Sequence, residues 1–248
     1  MYPRFILSCF AGLFAFAASS AWASEGTEWG YSGDLGPDNW GTLDPAFSAC
    51  GTGVNQSPVD LAGFVDGELP PLELDYSAGS AEIVNNGHSI QVNYPSGSTL
   101  TVDGTSFTLQ QFHFHTPSEN HLAGRSFPME AHFVHADAAG NLAVLAVMFE
   151  QRATNIPLDS LWKFMPRNVG GKTALPGSTD ASSLLPPSLD YFRYNGSLTT
   201  PPCSEGVRWL VLKTPVSISS VQAEKLAEVL GHSNNRPIQP LNARIVVE

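Results

Sequence analysis

Apolar and polar positions alternate with period two through the middle of this chain, most clearly over Thr105–His115. Successive strand residues point to opposite faces. Thr105, Phe107, Leu109, Gln111, His113 and His115 are therefore expected on one face, and Ser106, Thr108, Gln110, Phe112 and Phe114 on the other. The preceding Asp103-Gly104 tolerates positive φ at both turn positions and predicts a hairpin with Ser98–Val102. Further strands are expected at Ala81–Val84, Ser89–Tyr94, Met129–His135, Leu142–Glu150 and Val207–Lys213. The nearly unbroken apolar run Leu142–Phe149 predicts burial on both faces. A helical period enters over Val221–Leu230. Ala223, Leu226, Ala227 and Leu230 make its apolar stripe, Ser219 or Ser220 caps it and Gly231 ends it. Short helices are expected at Asp44–Ala49 and Leu158–Met165. The pattern describes a mainly β, α+β chain with helices at the periphery.

The ends and the charge narrow the setting. Residues 1–23 read as a cleaved leader: one charge at Arg4, an apolar stretch from Phe5 to Ala18, then Ala21-Trp22-Ala23 before Ser24. The apolar stretch is short for a membrane span, and nothing later in the sequence approaches one. Cys9 is followed by more apolar residues, which suits an ordinary leader better than a lipid attachment site. Residues 24–248 would form the mature chain, with 11 basic and 23 acidic residues and a net charge of −12. No basic patch invites nucleic acid or an anionic membrane. Cys50 and Cys203 remain, and an even pair in an exported chain reads as one disulfide, with two separate buried thiols as the alternative. A bond between them closes a loop of about 150 residues, stabilising on the order of 4–5 kcal/mol in the chain-entropy model. A periplasmic or secreted location follows from the leader and this pair.

The candidate chemistry lies in Gln111–His115 and Glu130–His132. His113 and His115 share a strand face, and the intervening residues allow a loop and a return strand carrying His132. Three neutral imidazoles leave a tetrahedral Zn²⁺ one open position, the mark of a catalytic rather than a structural zinc. An H-x-H pair alone is weak. Gln111 and Glu130 strengthen it, because ligand imidazoles usually give their second N–H to a carbonyl or carboxylate. Among the other histidines, His135 has the wrong parity, His121 is placed in a loop, His232 on the surface after the helix, and His88 at a strand mouth after Asn85-Asn86-Gly87.

The motifs together carry a resemblance. Trp29-Gly30-Tyr31, Gly36-Pro37 with Trp40-Gly41, Gln56-Ser57-Pro58, Asn85–His88, Gln111–His115, Ser118-Glu119-Asn120, Glu130–His135, Gly196–Pro202, Trp209 and Asn234–Pro237 before Gln239-Pro240-Leu241 occur in one order along the mature sequence. The chain resembles an α-class carbonic anhydrase of the bacterial, exported type. The resemblance implies one catalytic domain over 24–248, built on a large, twisted, mostly antiparallel central sheet. An aromatic cluster at Trp29, Tyr31 and Trp40 would anchor its N-terminal arm.

It also implies roles. His113, His115 and His132 match zinc ligands, oriented by Gln111, the Asn234 carbonyl and Glu130. Thr199 matches the acceptor from zinc-bound hydroxide and Glu119 the carboxylate that takes the Thr199 proton. His88 matches the proton shuttle. Val134, Val144, Leu198 and Trp209 match the apolar wall for carbon dioxide, and Thr200 borders bicarbonate. Tyr31, Asn86, Gln91 and Asn93 would hold ordered water. Taken singly, several of these have plainer readings: Val134, Val144 and Trp209 as core, Glu119 as a solvated loop carboxylate, Thr199–Pro202 as a rigid turn, with or without a cis peptide. Two positions depart from the family pattern: many animal relatives have histidine at Asn120, and many relatives have histidine at Glu28. The implied activity is zinc-dependent interconversion of carbon dioxide and bicarbonate. Zinc-hydroxide ester hydrolysis and a non-catalytic zinc-binding module are the alternatives. Homodimers fit the bacterial branch, with no interface visible in the sequence.

Overall fold

Leu142–Gln151 runs through the interior of an eleven-stranded sheet, and its residues from Ala143 to Met148 are buried as their unbroken apolarity predicts. The computed structural model describes residues 26–79, 81–177 and 179–248; the expected leader over 1–23 lies outside the described residues. Along the sheet the order is Lys172–Ala174, Glu82–Asn85, Ile90–Asn93, Thr105–His115, Met129–Ala136, Leu142–Gln151, Glu205–Leu212 and Tyr191–Ser197. Thr99–Val102 forms the hairpin with Thr105–His115 and also pairs Glu73–Asp75. Pairing in this sheet is antiparallel except where Glu205–Leu212 and Val216–Ile218 run parallel to Leu142–Gln151. A mostly antiparallel central sheet with few short helices is the expected class.

Each face of the sheet has its own core. Phe112, Phe114, Phe133, Leu145 and Val147 pack with Leu158, Trp162 and Leu226 of the peripheral helices on one side. Val134, Val144, Tyr194 and Trp209 pack together on the other. Adjacent residues divide between the two, Phe133 from Val134 and Leu145 from Val144, as the period of two requires.

The single-face reading of Thr105–His115 fails at one residue. Leu109 pairs with His135 but Gln111 pairs with Val134, so Gln110 is an extra residue in this strand. A bulge of this kind resets side-chain parity. Phe107 and Leu109 consequently join Phe112 and Phe114 in one core, while Gln111, His113 and His115 face the other way. The local parity around the histidines survives.

The C-terminal helix spans Ser220–Leu230. Ser219 caps it through a reciprocal box with Gln222, and Gly231 closes it in the left-handed conformation at φ 73°. The expected helix near Leu158 begins earlier, at Ile156, because Asn155 caps it and Pro157 suits its first turn. The expected Asp44–Ala49 helix is divided into a 3₁₀ turn, Pro45–Phe47, and a short helix, Ala49–Thr52. Tyr191–Ser197 is a strand that the sequence reading lacked. Its Asn195-Gly196 dipeptide looks like a turn, yet the chain continues through a register shift at Gly196/Ser197. Glycine is required there because a Cβ would meet the ring atoms of Trp209 and Tyr194 at 2.9 Å each, and Ser57 Oγ closer still.

Candidate metal centre

Two neighbouring strands build the centre. His113 stands opposite His132, and His115 opposite Glu130, in the antiparallel register of Thr105–His115 with Met129–Ala136. One ligand nitrogen from each of His113, His115 and His132 falls within 4.8 Å of the others. The remaining nitrogens of His113 and His115 are hydrogen-bonded, and that of His132 lies against a carboxylate oxygen without hydrogen-bond alignment. His113 Nδ1 is 2.8 Å from Gln111 Oε1, and His115 Nδ1 is 2.7 Å from the Asn234 carbonyl. His132 is turned the other way, with Nε2 2.9 Å from Glu130 Oε1. The nitrogens left to face an ion are therefore Nε2 of His113, Nε2 of His115 and Nδ1 of His132. His115 Nε2 is fully buried with no hydrogen-bond partner among the described residues. A buried polar atom without a partner is costly, and an ion bound by this nitrogen would remove that cost. A set of three imidazoles suits Zn²⁺.

Burial, first of all, pushes His113 and His132 well below the ordinary histidine range and lowers His115 too. All three are thereby held neutral, the form that coordinates. Glu130 is fixed by its neighbours: the Glu119 and Asn120 N–H groups donate to Oε2 at 2.8 Å each, and Asn120 Nδ2 to Oε1 at 2.7 Å.

Glu119 is buried, which removes the reading of it as a solvated loop carboxylate. Burial raises its pKa well above the usual range; the Arg236 N–H, donating to Oε1 at 2.8 Å, and the Thr199 side chain oppose that rise. Oε2 has no partner of normal hydrogen-bond geometry and lies 3.4 Å from His115 Nε2.

A family model described as eukaryotic-type carbonic anhydrase matches residues 35–248. A carbonic anhydrase of Neisseria gonorrhoeae is 51% identical over 250 residues, spanning 100% of this chain and 99% of that protein. The chain belongs to the α-class carbonic anhydrase family. The α-carbonic anhydrase of Thermovibrio ammonificans, in complex with the inhibitor sulfanilamide, matches with a TM-score of 0.88 at 49% identity, over 90% of this chain and 100% of that one. That of Photobacterium profundum matches with a TM-score of 0.84 at 50% identity, over 89% and 100%.

The remaining expected site residues of this carbonic anhydrase gather around the histidines. A cavity of about 370 Å³ is lined by His113, His115 and Gln111 together with Tyr31, Asn86, His88, Gln91 and Thr200. Asn93 is exposed and joins this group through Gln91, whose Nε2 donates to Asn93 Oδ1 at 2.6 Å. Val134, Val144 and Trp209 lie in the apolar cluster with Leu198 against it. The Trp209 ring meets the His132 ring edge-on at 4.8 Å. Cys50 and Cys203 form a disulfide, a bond suited to an oxidising compartment. The Cys203 N–H donates to the Thr200 carbonyl at 2.9 Å, so the bond sits at the base of the Thr199-Thr200 loop. Pro201-Pro202 in that loop is cis. No helix among the described residues is long and apolar enough to cross a membrane.

Three contributions were absent from the sequence reading. Asn120 locks Glu130, and its Oδ1 accepts the Tyr194 hydroxyl at 2.9 Å and the Val59 N–H at 3.1 Å. Arg236 is buried and donates from Nη1 to Gln56 Oε1 and the Ser57 carbonyl, and from Nη2 to the Cys50 carbonyl. Its own N–H holds Glu119, so the disulfide and the Glu119 carboxylate share one anchor. Trp29 does more than anchor the N-terminal arm: its ring lies flat on His88 at 3.7 Å. A buried arginine within Asn234-Asn235-Arg236-Pro237 is a signal that such an anchor exists, though not of its partners.

Proposed function

We propose that this chain reversibly hydrates carbon dioxide to bicarbonate and a proton, with Zn²⁺ held by His113 Nε2, His115 Nε2 and His132 Nδ1. The observation that carries the reading is the convergence of one nitrogen from each of the three rings, two of which are tied by their other nitrogen while the third faces Glu130. Bound Zn²⁺ with neutral ligands would supply a strongly acidified water in its open position; its pKa of about 7 is the value established for carbonic anhydrases generally, not one derived from this chain.

The protein's own residues do the rest. Thr199 has one hydroxyl proton. If that proton goes to Glu119, Thr199 can only accept from the attacking oxygen, which orients a lone pair toward the substrate carbon. Glu119 must be a carboxylate for this; burial raises its pKa, and the Arg236 N–H is the first of the contacts that oppose that rise. Carbon dioxide is apolar and uncharged, and Val134, Val144, Leu198 and Trp209 provide a dry wall for it beside His132. Thr200 lines the cavity where bicarbonate would leave.

Each hydration produces a proton that must reach the buffer. His88 is the relay: it lines the same cavity as His113 and His115, with Tyr31, Asn86 and Gln91 to order water between them. Burial first, and the charge of His232 second, lower its pKa below 6.5. A proton that reaches it is therefore released readily at neutral pH. The disulfide supports an exported setting, periplasmic or secreted. Chelation and reconstitution test the proposal: metal-free protein should lose carbon dioxide hydration and regain it with one equivalent of Zn²⁺. Full hydration by the folded, metal-free protein would overturn it.

A further inference from the structure

His232 is exposed, and it reaches the cavity through Tyr31. Its ring stacks on the Tyr31 ring at 5.8 Å between centroids and 28° between planes. The same Tyr31 ring meets His88 edge-on at 6.4 Å. Two imidazoles thus flank one phenol at the cavity mouth. We infer that His232 is a second proton station, receiving protons from His88 through intervening water and delivering them to the buffer. The inference rests on the reading of His88 as the relay.

Three observations support it. His88 is only part-exposed, and one face of its ring is covered by Trp29. A proton held there meets buffer less easily than one on the open ring of His232. The segment carrying His232 is also fixed to the site. Asn234 Nδ2 donates to the His88 carbonyl at 2.9 Å and the Asn234 carbonyl holds His115 at 2.7 Å. His232 Nδ1 lies 3.0 Å from the Ser233 carbonyl. That contact suits the tautomer with a proton on Nδ1, leaving Nε2 as the base.

The two rings share a field: charge on His232 disfavours charge on His88. A proton on one ring therefore disfavours a proton on the other. The ionisable groups around them are Tyr31, between the rings, and Glu119, which acts on Tyr31 from the site interior. Among the described residues no ion pair engages either imidazole with a carboxylate. The step is a simple transfer. The N–H of the His88 imidazolium breaks, an N–H forms on His232 Nε2 by way of water, and buffer base removes that proton.

The test compares zinc-loaded parent, His232→Ala and His88→Ala by stopped-flow hydration in weak buffer. His232→Ala should lower kcat about two- to fourfold, below the full effect of losing an acid–base group, with kcat/KM preserved and kcat restored by added imidazole. A second readout is independent of turnover. The NMR titration of His88 should move to higher pH in His232→Ala, in zinc-loaded and zinc-free protein alike. Parent-like kcat in His232→Ala, while His88→Ala is slow, overturns the inference and leaves the His88 reading intact. Parent-like kcat in His88→Ala removes the His88 reading and this inference with it. An unmoved His88 titration overturns the shared field.

Discussion

His113 stands directly opposite His132 across two antiparallel strands, and their ring centroids are 5.4 Å apart, nearly perpendicular. Register alone brings them together. A slip of one residue would turn His132 into the aromatic core and put Phe133 or Ala131 at the centre.

Ring orientation depends on the partners of the idle nitrogens. Gln111→Ala and Glu130→Ala should each weaken Zn²⁺ binding about 10- to 100-fold, the range found when such partners are removed from metal sites, carbonic anhydrases included. Competition with a chromophoric chelator measures this. Parent-like affinity in both variants would show that the rings need no such support.

Gly196 lies in close contact with Ser57, Trp209 and Tyr194. Gly196→Ala should cost about 1–3 kcal/mol through overpacking against Trp209 and Tyr194. Denaturant unfolding reads the loss, and an unchanged midpoint would mean that these neighbours yield freely.

The disulfide joins positions 153 residues apart, and opening it should cost on the order of 4–5 kcal/mol in the chain-entropy model. It should also loosen the substrate loop. Cys203 N–H holds the Thr200 carbonyl, Gln56 Nε2 holds the Cys203 carbonyl at 3.0 Å, and Arg236 ties Cys50 to Glu119. Reduced protein that remains folded should therefore lose specific activity. Full activity in that state would confine the bond's role to stability.

His135 lies on the opposite face from His132, fully buried, with Nε2 2.6 Å from the Tyr76 hydroxyl. Burial lowers its pKa from 6.5 to about 4. The unfolded chain therefore takes up this proton near pH 6.5, while the folded chain resists until about pH 4. Above 6.5 there is no penalty; between 6.5 and 4 stability falls, by a total on the order of 3 kcal/mol. Urea unfolding at pH 7.5 and pH 5 should show a smaller acid loss in His135→Gln than in the parent. Equal losses would show that His135 titrates normally in the fold.

Much of the centre was legible because it rests on local parity. Gln111, His113 and His115 sit two apart beyond any irregularity, and Glu130 and His132 repeat the spacing on the return strand. The bulge at Gln110 was not legible, since an extra residue leaves no mark in a run of alternating side chains. The Tyr191–Ser197 strand carries the turn-like dipeptide Asn195-Gly196, where close packing rather than a turn demands glycine. The third imidazole's anchor is a backbone carbonyl, Asn234, 119 residues from His115. Motif order pointed to that carbonyl through the family resemblance; no side-chain pattern does. His232 is exposed, as its place after the helix implies, and only the folded chain brings it onto Tyr31.

Stopped-flow carbon dioxide hydration, on folded protein shown by elemental analysis to carry one Zn²⁺ per chain, tests the central claim most directly. The account predicts rapid hydration that disappears in His115→Ala together with the metal. Fully metallated, folded protein that hydrates no faster than the buffer blank would contradict it and leave a zinc-holding module on a carbonic anhydrase fold.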